Sequence, residues 1–273
     1  MGSFVKDSFY SFKVNKDFWL QLLVEGLAFA FIIFMIIGFG ELLEMKAFEI
    51  SQGQSVDQLK SVLLAGSADY NQVFLSNVKG FALLLTLGIV AVFLASVFIY
   101  SYAQAHIWHS LMGKKFSWNV MKKWIGMTFI VLLLCAVFVL FYFLTQVVML
   151  FFPLDEGSAL VVDRIITFLF VYGFVFVIPF LYYFFAHTGL VWKGIGDFFS
   201  YVNKKKMVFI KGYIFAVFVG VLIALVSSVI RASFQASFRA LTAGLPLIMM
   251  IILLLWYFSW LRNYVYTVLA KMN

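Results

Sequence analysis

The sequence predicts an all-α, polytopic membrane protein whose six transmembrane helices form three repeated hairpins. Hydrophobic residues make up 64% of the 273 residues and charged residues only 12%, compared with roughly 45–50% and about 25% in soluble domains. A short aromatic segment that carries lysine precedes a long apolar stretch three times, and a second apolar stretch follows each time. Such a repeat is typical of helical membrane domains.

The three aromatic lead-in segments are residues 9–19, 116–124 and 198–209, and the first and third share the tripeptide Val-Asn-Lys. Each suits a short interfacial helix or turn, because aromatic rings favour the headgroup layer and lysines reach toward anionic lipids. Ordinary positively charged loops are the alternative. The repeats then cover about 9–108, 116–186 and 198–268 of a single integral membrane domain, residues 1–273.

Six apolar stretches approach or exceed the ~20 residues that a membrane-spanning helix needs. They lack the period-two alternation of a membrane strand barrel. We place the spans near residues 19–39, 81–108, 124–152, 165–186, 209–230 and 247–264.

The distribution of basic residues predicts the orientation of the spans. Fourteen of the 20 lysines and arginines lie at the two termini and in the connections after the second and fourth spans. By the positive-inside rule these segments face the cytoplasm, so both termini of this multi-pass cell-membrane protein are cytoplasmic. The net charge of +8 sits at the ends of spans, which indicates a membrane surface and not nucleic acid.

The outside connection, residues 41–79, is long enough for structure beyond the bilayer. Ser55 and Gln58 form a capping-box pattern that predicts a helix through Leu64, with Gly66 ending it.

Small residues recur at every fourth position of the fifth span, a spacing that lets a neighbouring helix approach closely. We expect a packing interface, with a pore-lining helix as the alternative. The helix should continue to about Leu241, before Gly244, Leu245 and Pro246 turn the chain back. The stripe inside the membrane consists of Gly212, Ala216, Gly220, Ala224 and Ser228.

Glu25 is the one clear ionisable residue inside a span, about six residues past Trp19. Such residues are candidates for function, here proton or cation handling near a cytoplasmic gate. We expect a structural carboxylate that bonds to a neighbouring helix end or reaches the interface, in which case Glu25→Gln should fold well.

The three histidines, His106, His109 and His187, share the cytoplasmic level of Glu25. Two histidines three residues apart and a carboxylate can bind zinc or iron, but the sequence has no metal-binding motif and Cys135 is its single cysteine. We expect polar anchors at the interface, and neither a metal nor another cofactor.

The partners that the sequence predicts are membrane lipids, with a protein partner or a second copy of the chain as a further expectation. Lysines next to the spans should contact anionic headgroups on the cytoplasmic face. These lysines are Lys114, Lys115, Lys122, Lys123, Lys204, Lys205 and Lys206.

The six spans with polar, aromatic lead-ins, most visibly Ile195-Gly196-Asp197-Phe198-Phe199-Ser200-Tyr201, resemble a group of bacterial and archaeal membrane domains. That group includes the membrane anchor of glycerophosphodiester phosphodiesterases. The resemblance implies an integral membrane component and carries no catalytic motif to this chain.

The sequence has no paired acids within a span, phosphate-binding glycine loop or nucleophile elbow. We therefore expect a non-enzymatic membrane module that contacts lipid or packs against a partner. The alternative is a small-solute permease or channel with Glu25 near its cytoplasmic gate. An intramembrane lipid enzyme is a third reading.

Overall fold

The computed structural model describes residues 16–51, 54, 56–66, 68–149, 151, 156–237 and 244–270, and it has no strand among them. Eight helices follow one another in this part of the chain: α1 Lys16–Ser51, α2 Val56–Ala65, α3 Ala68–Leu111, α4 Trp118–Met149, α5 Glu156–Thr188, α6 Val191–Lys204, α7 Lys206–Ser237 and α8 Gly244–Ala270.

Six of these helices are long and apolar enough to cross a membrane. Their candidate membrane segments are Phe18–Ser51 in α1, Asn71–Leu111 in α3, Trp118–Met149 in α4, Val161–Thr188 in α5, Lys206–Ile230 in α7 and Ile248–Ala270 in α8. Helices satisfy every backbone polar group within one segment, which a hydrocarbon medium demands. The prediction of an all-α membrane protein is confirmed.

The first two spans are longer than predicted. Helix α1 has 36 residues and runs past Phe39 to Ser51, through both Gly38 and Gly40. Helix α3 has 44 residues and begins at Ala68, well before Phe81. At 1.5 Å per residue both exceed the roughly 30 Å of the hydrocarbon core, so the predicted outside connection consists largely of the ends of these two helices.

The short helix predicted within the outside connection is present as α2, which matches the predicted bounds to within one residue. The side-chain amide of Asn71 in α3 donates a hydrogen bond to the carbonyl oxygen of Leu63 at 3.2 Å. This bond ties the start of α3 to the end of α2.

The lead-in segments are not built alike. Most of the first one lies outside the described residues. The second has no separate helix, because α4 begins at Trp118 and continues into the span. The third begins inside the separate helix α6, which starts at Val191, before the predicted segment, and it continues through a turn at Lys205 into α7. The prediction of one repeated hairpin therefore stays unconfirmed.

The three residues predicted to turn the chain back are helical. Gly244, Leu245 and Pro246 form the first turn of α8, where the missing N–H of proline has no intrahelical partner to lose. The predicted helix end at Leu241 lies outside the described residues; α7 is helical to Ser237.

The chain divides into two compact units. One unit is residues 27–100, and the other, called the main unit below, comprises residues 1–26 and 101–273. In the smaller unit the ring of Phe39 lies against Gly88 so closely that a Cβ there would overlap it. The rings of Phe29 and Tyr100 lie 6.2 Å apart, so the two long helices of this unit meet through aromatic side chains.

Helix α5 is the centre of the main unit, because it contacts α4, α6, α7 and α8. The buried side chains concentrate in residues 101–109 of α3, 121–131 of α4, 176–186 of α5 and 255–269 of α8. Trp124 shows how they pack: its ring stacks on Tyr182 at 5.7 Å and meets the edge of Phe185 at 4.8 Å. This aromatic core fixes the ends of the spans on which the polar side chains described below are placed.

Candidate functional site: a buried ion pair between the first and last spans

Glu25 in α1 and Arg262 in α8 form an ion pair inside the main unit. Glu25 Oε1 accepts a hydrogen bond from Arg262 Nη2 at 2.8 Å, and the two side chains are only 4% and 5% exposed. The same oxygen accepts a second hydrogen bond from Gln104 Nε2 in α3 at 3.2 Å. One carboxylate oxygen thus joins three membrane helices that are far apart in the chain.

A second polar contact lies one helical turn away. Gln21 Nε2 donates to Asn263 Oδ1 at 3.2 Å, and Gln21 is four residues before Glu25, on the same face of α1. Glu25 and Gln21 therefore bond two consecutive residues of α8, which fixes both the position and the rotation of α1 against α8.

The ion pair leaves some of its hydrogen-bonding capacity unused. Glu25 Oε2, Arg262 Nη1, Gln21 Oε1 and Ser259 Oγ are buried, and none has a hydrogen-bond partner among the residues that the structure describes. A buried polar atom without a partner costs about 1–3 kcal/mol. The ion pair is monodentate, because a single nitrogen and a single oxygen make the contact, and the second carboxylate oxygen is an acceptor without a described partner.

The expectation that Glu25 is the one clear ionisable residue within the spans was wrong, because Arg262 lies inside the predicted last span as well. The positive-inside argument groups it with the basic residues that flank the membrane. The rule that an ionisable residue inside a membrane segment marks a site applies to Arg262 as it does to Glu25, and that signal could have identified the partner.

The histidines do not gather around Glu25. His109 is buried, and its Nδ1 lies 2.8 Å from the carbonyl oxygen of Ala105, one turn back in α3. His187 is exposed and stacks on Tyr183, while His106 packs near Tyr102. Among the described residues no three His, Cys, Asp or Glu side chains are close enough to hold a metal ion.

The small residues of α7 divide into two groups. Gly212, Ala216 and Gly220 are buried, whereas Ala224 and Ser228 are exposed. A Cβ at Gly212 would lie 3.1 Å from Tyr264 Oη in α8 and 3.3 Å from Phe176 Cζ in α5, and one at Gly220 would overlap the ring of Tyr172 in α5. The stripe therefore receives aromatic rings from two helices over its first half only.

One of the lysines predicted to contact lipid has another partner. Lys114 Nζ donates to the carbonyl oxygens of Ala186 at 2.8 Å and His187 at 3.4 Å, so it caps the C-terminal end of α5, where a positive charge is favourable. The remaining lysines of that prediction are exposed: Lys115, Lys122, Lys123, Lys204, Lys205 and Lys206.

A polar cluster that the sequence did not indicate joins α4 to α5. Asp163 Oδ1 accepts hydrogen bonds from Tyr142 Oη at 3.3 Å and from Gln146 Nε2, and Tyr142 Oη lies 2.9 Å from Thr167 Oγ1.

In α6, burial against Phe180 and Phe184 raises the pKa of Tyr201 above its usual value. The same packing of Tyr201 on the two rings joins α6 to α5.

Comparisons of the chain with models of protein families, with curated proteins and with solved structures find no match. The resemblance to the phosphodiesterase-anchor group stays a prediction.

Proposed function

We propose that this integral membrane protein is a non-enzymatic module that acts by contact with membrane lipids. The observation that carries the proposal is that Glu25 and Arg262, two charged residues within the spans, pair with each other. Glu25 accepts hydrogen bonds from both Arg262 and Gln104, so this carboxylate serves to hold α1, α3 and α8 together.

The outer surface of the spans supports the same proposal. Large apolar side chains remain exposed along them, among them Phe34 at 75%, Phe143 at 64% and Val229 at 66%. Hydrocarbon is the medium in which such side chains are stable on the outside of a helix bundle. The spans thus present apolar side chains that suit lipid, while Glu25 bonds to Arg262 and Gln104 inside the main unit.

A permease is the second candidate function, and one observation favours it. Glu25 Oε2 and Arg262 Nη1 are buried without a described partner, and a carboxylate oxygen of this kind can take up and release a proton. A proton path through Glu25 would use that oxygen, because Oε1 already accepts two hydrogen bonds.

Reconstitution into liposomes with an internal pH dye tests the two candidates. The wild type should move no more protons than protein-free liposomes under an imposed potential, and it should retain bound phospholipid through purification. Proton flux that is lost in Glu25→Gln protein that still folds, as thermal unfolding shows, but is kept in Asp163→Asn, an acid of the α4–α5 cluster, would establish the permease and refute the lipid module.

A further inference from the structure

One face of helix α6 packs on the rest of the main unit. Its buried residues are Gly194 and Phe198; a Cβ at Gly194 would lie 2.9 Å from the backbone of Phe185 in α5. Phe198 contacts Phe180 of α5 and Phe209 of α7. The helix is therefore held directly against the two spans that it connects, and its opposite face points outward and is exposed.

The outward face of α6 has two chemically different edges. Trp192 and Phe199, seven residues apart, are 77% and 63% exposed and lie within about 20° of each other around the helix axis. Lys193 and Lys204 are exposed as well, roughly 100–140° from the aromatic edge by the same geometry. Between the edges lie the exposed small and polar residues Gly196, Ser200 and Asn203.

The lysine edge continues past the end of the helix. Lys205 and Lys206 follow Lys204 directly and are exposed, as is Lys211 one turn into α7. Asp197 is the single acidic residue between 191 and 211. Unlike Lys114, whose ammonium is bonded to the end of α5, none of these lysines forms an ion pair among the described residues.

We propose that the outward face of α6 with Lys204, Lys205 and Lys206 is a binding surface for anionic lipid headgroups. Trp192 and Phe199 insert at the level of the acyl-chain boundary, and the lysines bind the phosphates above them. This inference rests on the proposed lipid-contacting function and names the class of lipid and the residues that select it.

The arrangement of the two edges favours a bilayer over other acidic partners. A helix in the membrane interface combines exposed aromatic residues with lysines, and lysines beside a membrane are attracted to its negative surface potential. A nucleic acid or an acidic protein would use the charge, but it would leave Trp192 and Phe199 in water next to the apolar surfaces of α5 and α7.

A fluorophore placed between the two edges reports which lipid lies on α6. The full chain carries Asn203→Cys in a Cys135→Ala background, is labelled with bimane, and is reconstituted into bilayers of phosphatidylcholine and phosphatidylglycerol. Either lipid is supplied in brominated form, because bromine quenches the label on contact. At equal lipid fractions, brominated phosphatidylglycerol should quench more strongly than brominated phosphatidylcholine.

Removal of the lysines should abolish this preference. In the triple variant Lys204→Gln, Lys205→Gln, Lys206→Gln, the ratio of quenching by brominated phosphatidylglycerol to quenching by brominated phosphatidylcholine should fall at low ionic strength. The expected fall is up to about five-fold for each lysine removed. The matched triple Lys46→Gln, Lys60→Gln, Lys79→Gln removes the same charge from other exposed lysines and should leave the preference unchanged. Added salt should weaken the preference of the wild type, since exposed charges are screened.

Two results would overturn the proposal. A label that neither brominated lipid quenches would show that α6 faces water or a macromolecular partner. Equal quenching by both lipids in the wild type, with no effect of salt, would show that the lysines do not select anionic headgroups. Proton flux in the liposome assay together with a preference for phosphatidylglycerol would refute the proposed function alone, so the two failures are distinguishable.

Discussion

At the scale of single residues, the pairing of Glu25 with Arg262 changes what a substitution should do. A carboxylate bonded only to neutral groups would tolerate replacement by glutamine, as the sequence predicts for Glu25. With Arg262 5% exposed and 2.8 Å away, removal of the carboxylate charge leaves a buried guanidinium without a counter-charge. That loss outweighs the hydrogen bond that the amide oxygen of glutamine can still accept.

We therefore expect Glu25→Gln to lower the free energy of unfolding by roughly 3–5 kcal/mol, the cost of breaking one side of a buried ion pair. The double variant Glu25→Met, Arg262→Met should recover most of this loss, because it leaves no unpaired charge. Thermal unfolding in detergent micelles measures both effects.

The exposed pair Lys46–Glu49 supplies the control, since its side chains are 49% and 57% exposed. Glu49→Gln should change the free energy of unfolding by at most about 1 kcal/mol. If Glu25→Gln were as stable as the wild type, the ion pair would not hold α1 to α8.

At the scale of helices, the period of four in α7 explains why only half of the small-residue stripe is buried. A step of four residues advances the stripe by about 40° around the helix. Gly212, Ala216 and Gly220 stay within the face that α5 and α8 cover, and the next two steps carry Ala224 and Ser228 out of it. The partner groups are aromatic rings: Tyr257 Oη, for example, donates to the carbonyl oxygen of Ala216 at 3.1 Å.

The same substitution at two positions of the stripe tests this division. Ala216→Leu should lower the free energy of unfolding by about 1–3 kcal/mol, because the larger side chain has no room at a position that is 1% exposed. Ala224→Leu, two turns along the same helix and exposed, should stay within about 0.5 kcal/mol of the wild type. Equal effects in thermal unfolding would show that the stripe is one continuous interface, or none.

At the scale of the whole molecule, the expected orientation rests on charge. The connection between α3 and α4 carries Lys114 and Lys115, next to Lys122 and Lys123 at the start of α4, whereas the outside connection, residues 41–79, carries five of the twelve acidic residues. One membrane crossing, α3, should separate these two connections.

Single cysteines in a Cys135→Ala background test that crossing. In intact cells an impermeant maleimide should label Lys60→Cys in α2 and should reach Lys115→Cys only after the membrane is opened. Both parent lysines are exposed, so accessibility within the protein is matched. Labelling of both positions from outside would contradict a transmembrane α3, and the reverse pattern would invert the whole topology.

Much of the fold could be predicted because it depends on local composition. Within hydrocarbon a long apolar segment must satisfy its backbone groups internally, so the six predicted spans of this chain coincide with helices. Helix ends in water have no such constraint. The extensions of α1 past Gly40 and of α3 before Phe81, and the early start of α6, were accordingly missed.

The candidate site could be predicted only in part, because its members are brought together by packing. Composition and position single out Glu25, and position inside the last predicted span marks Arg262, but the two lie 237 residues apart and no local pattern encodes that they meet. The same holds for Lys114: no local pattern predicts that its ammonium donates a hydrogen bond to the C-terminal end of α5. Membrane insertion responds to the hydropathy of each segment in turn, whereas side-chain pairing depends on which helices become neighbours, and that is settled only when the helices pack.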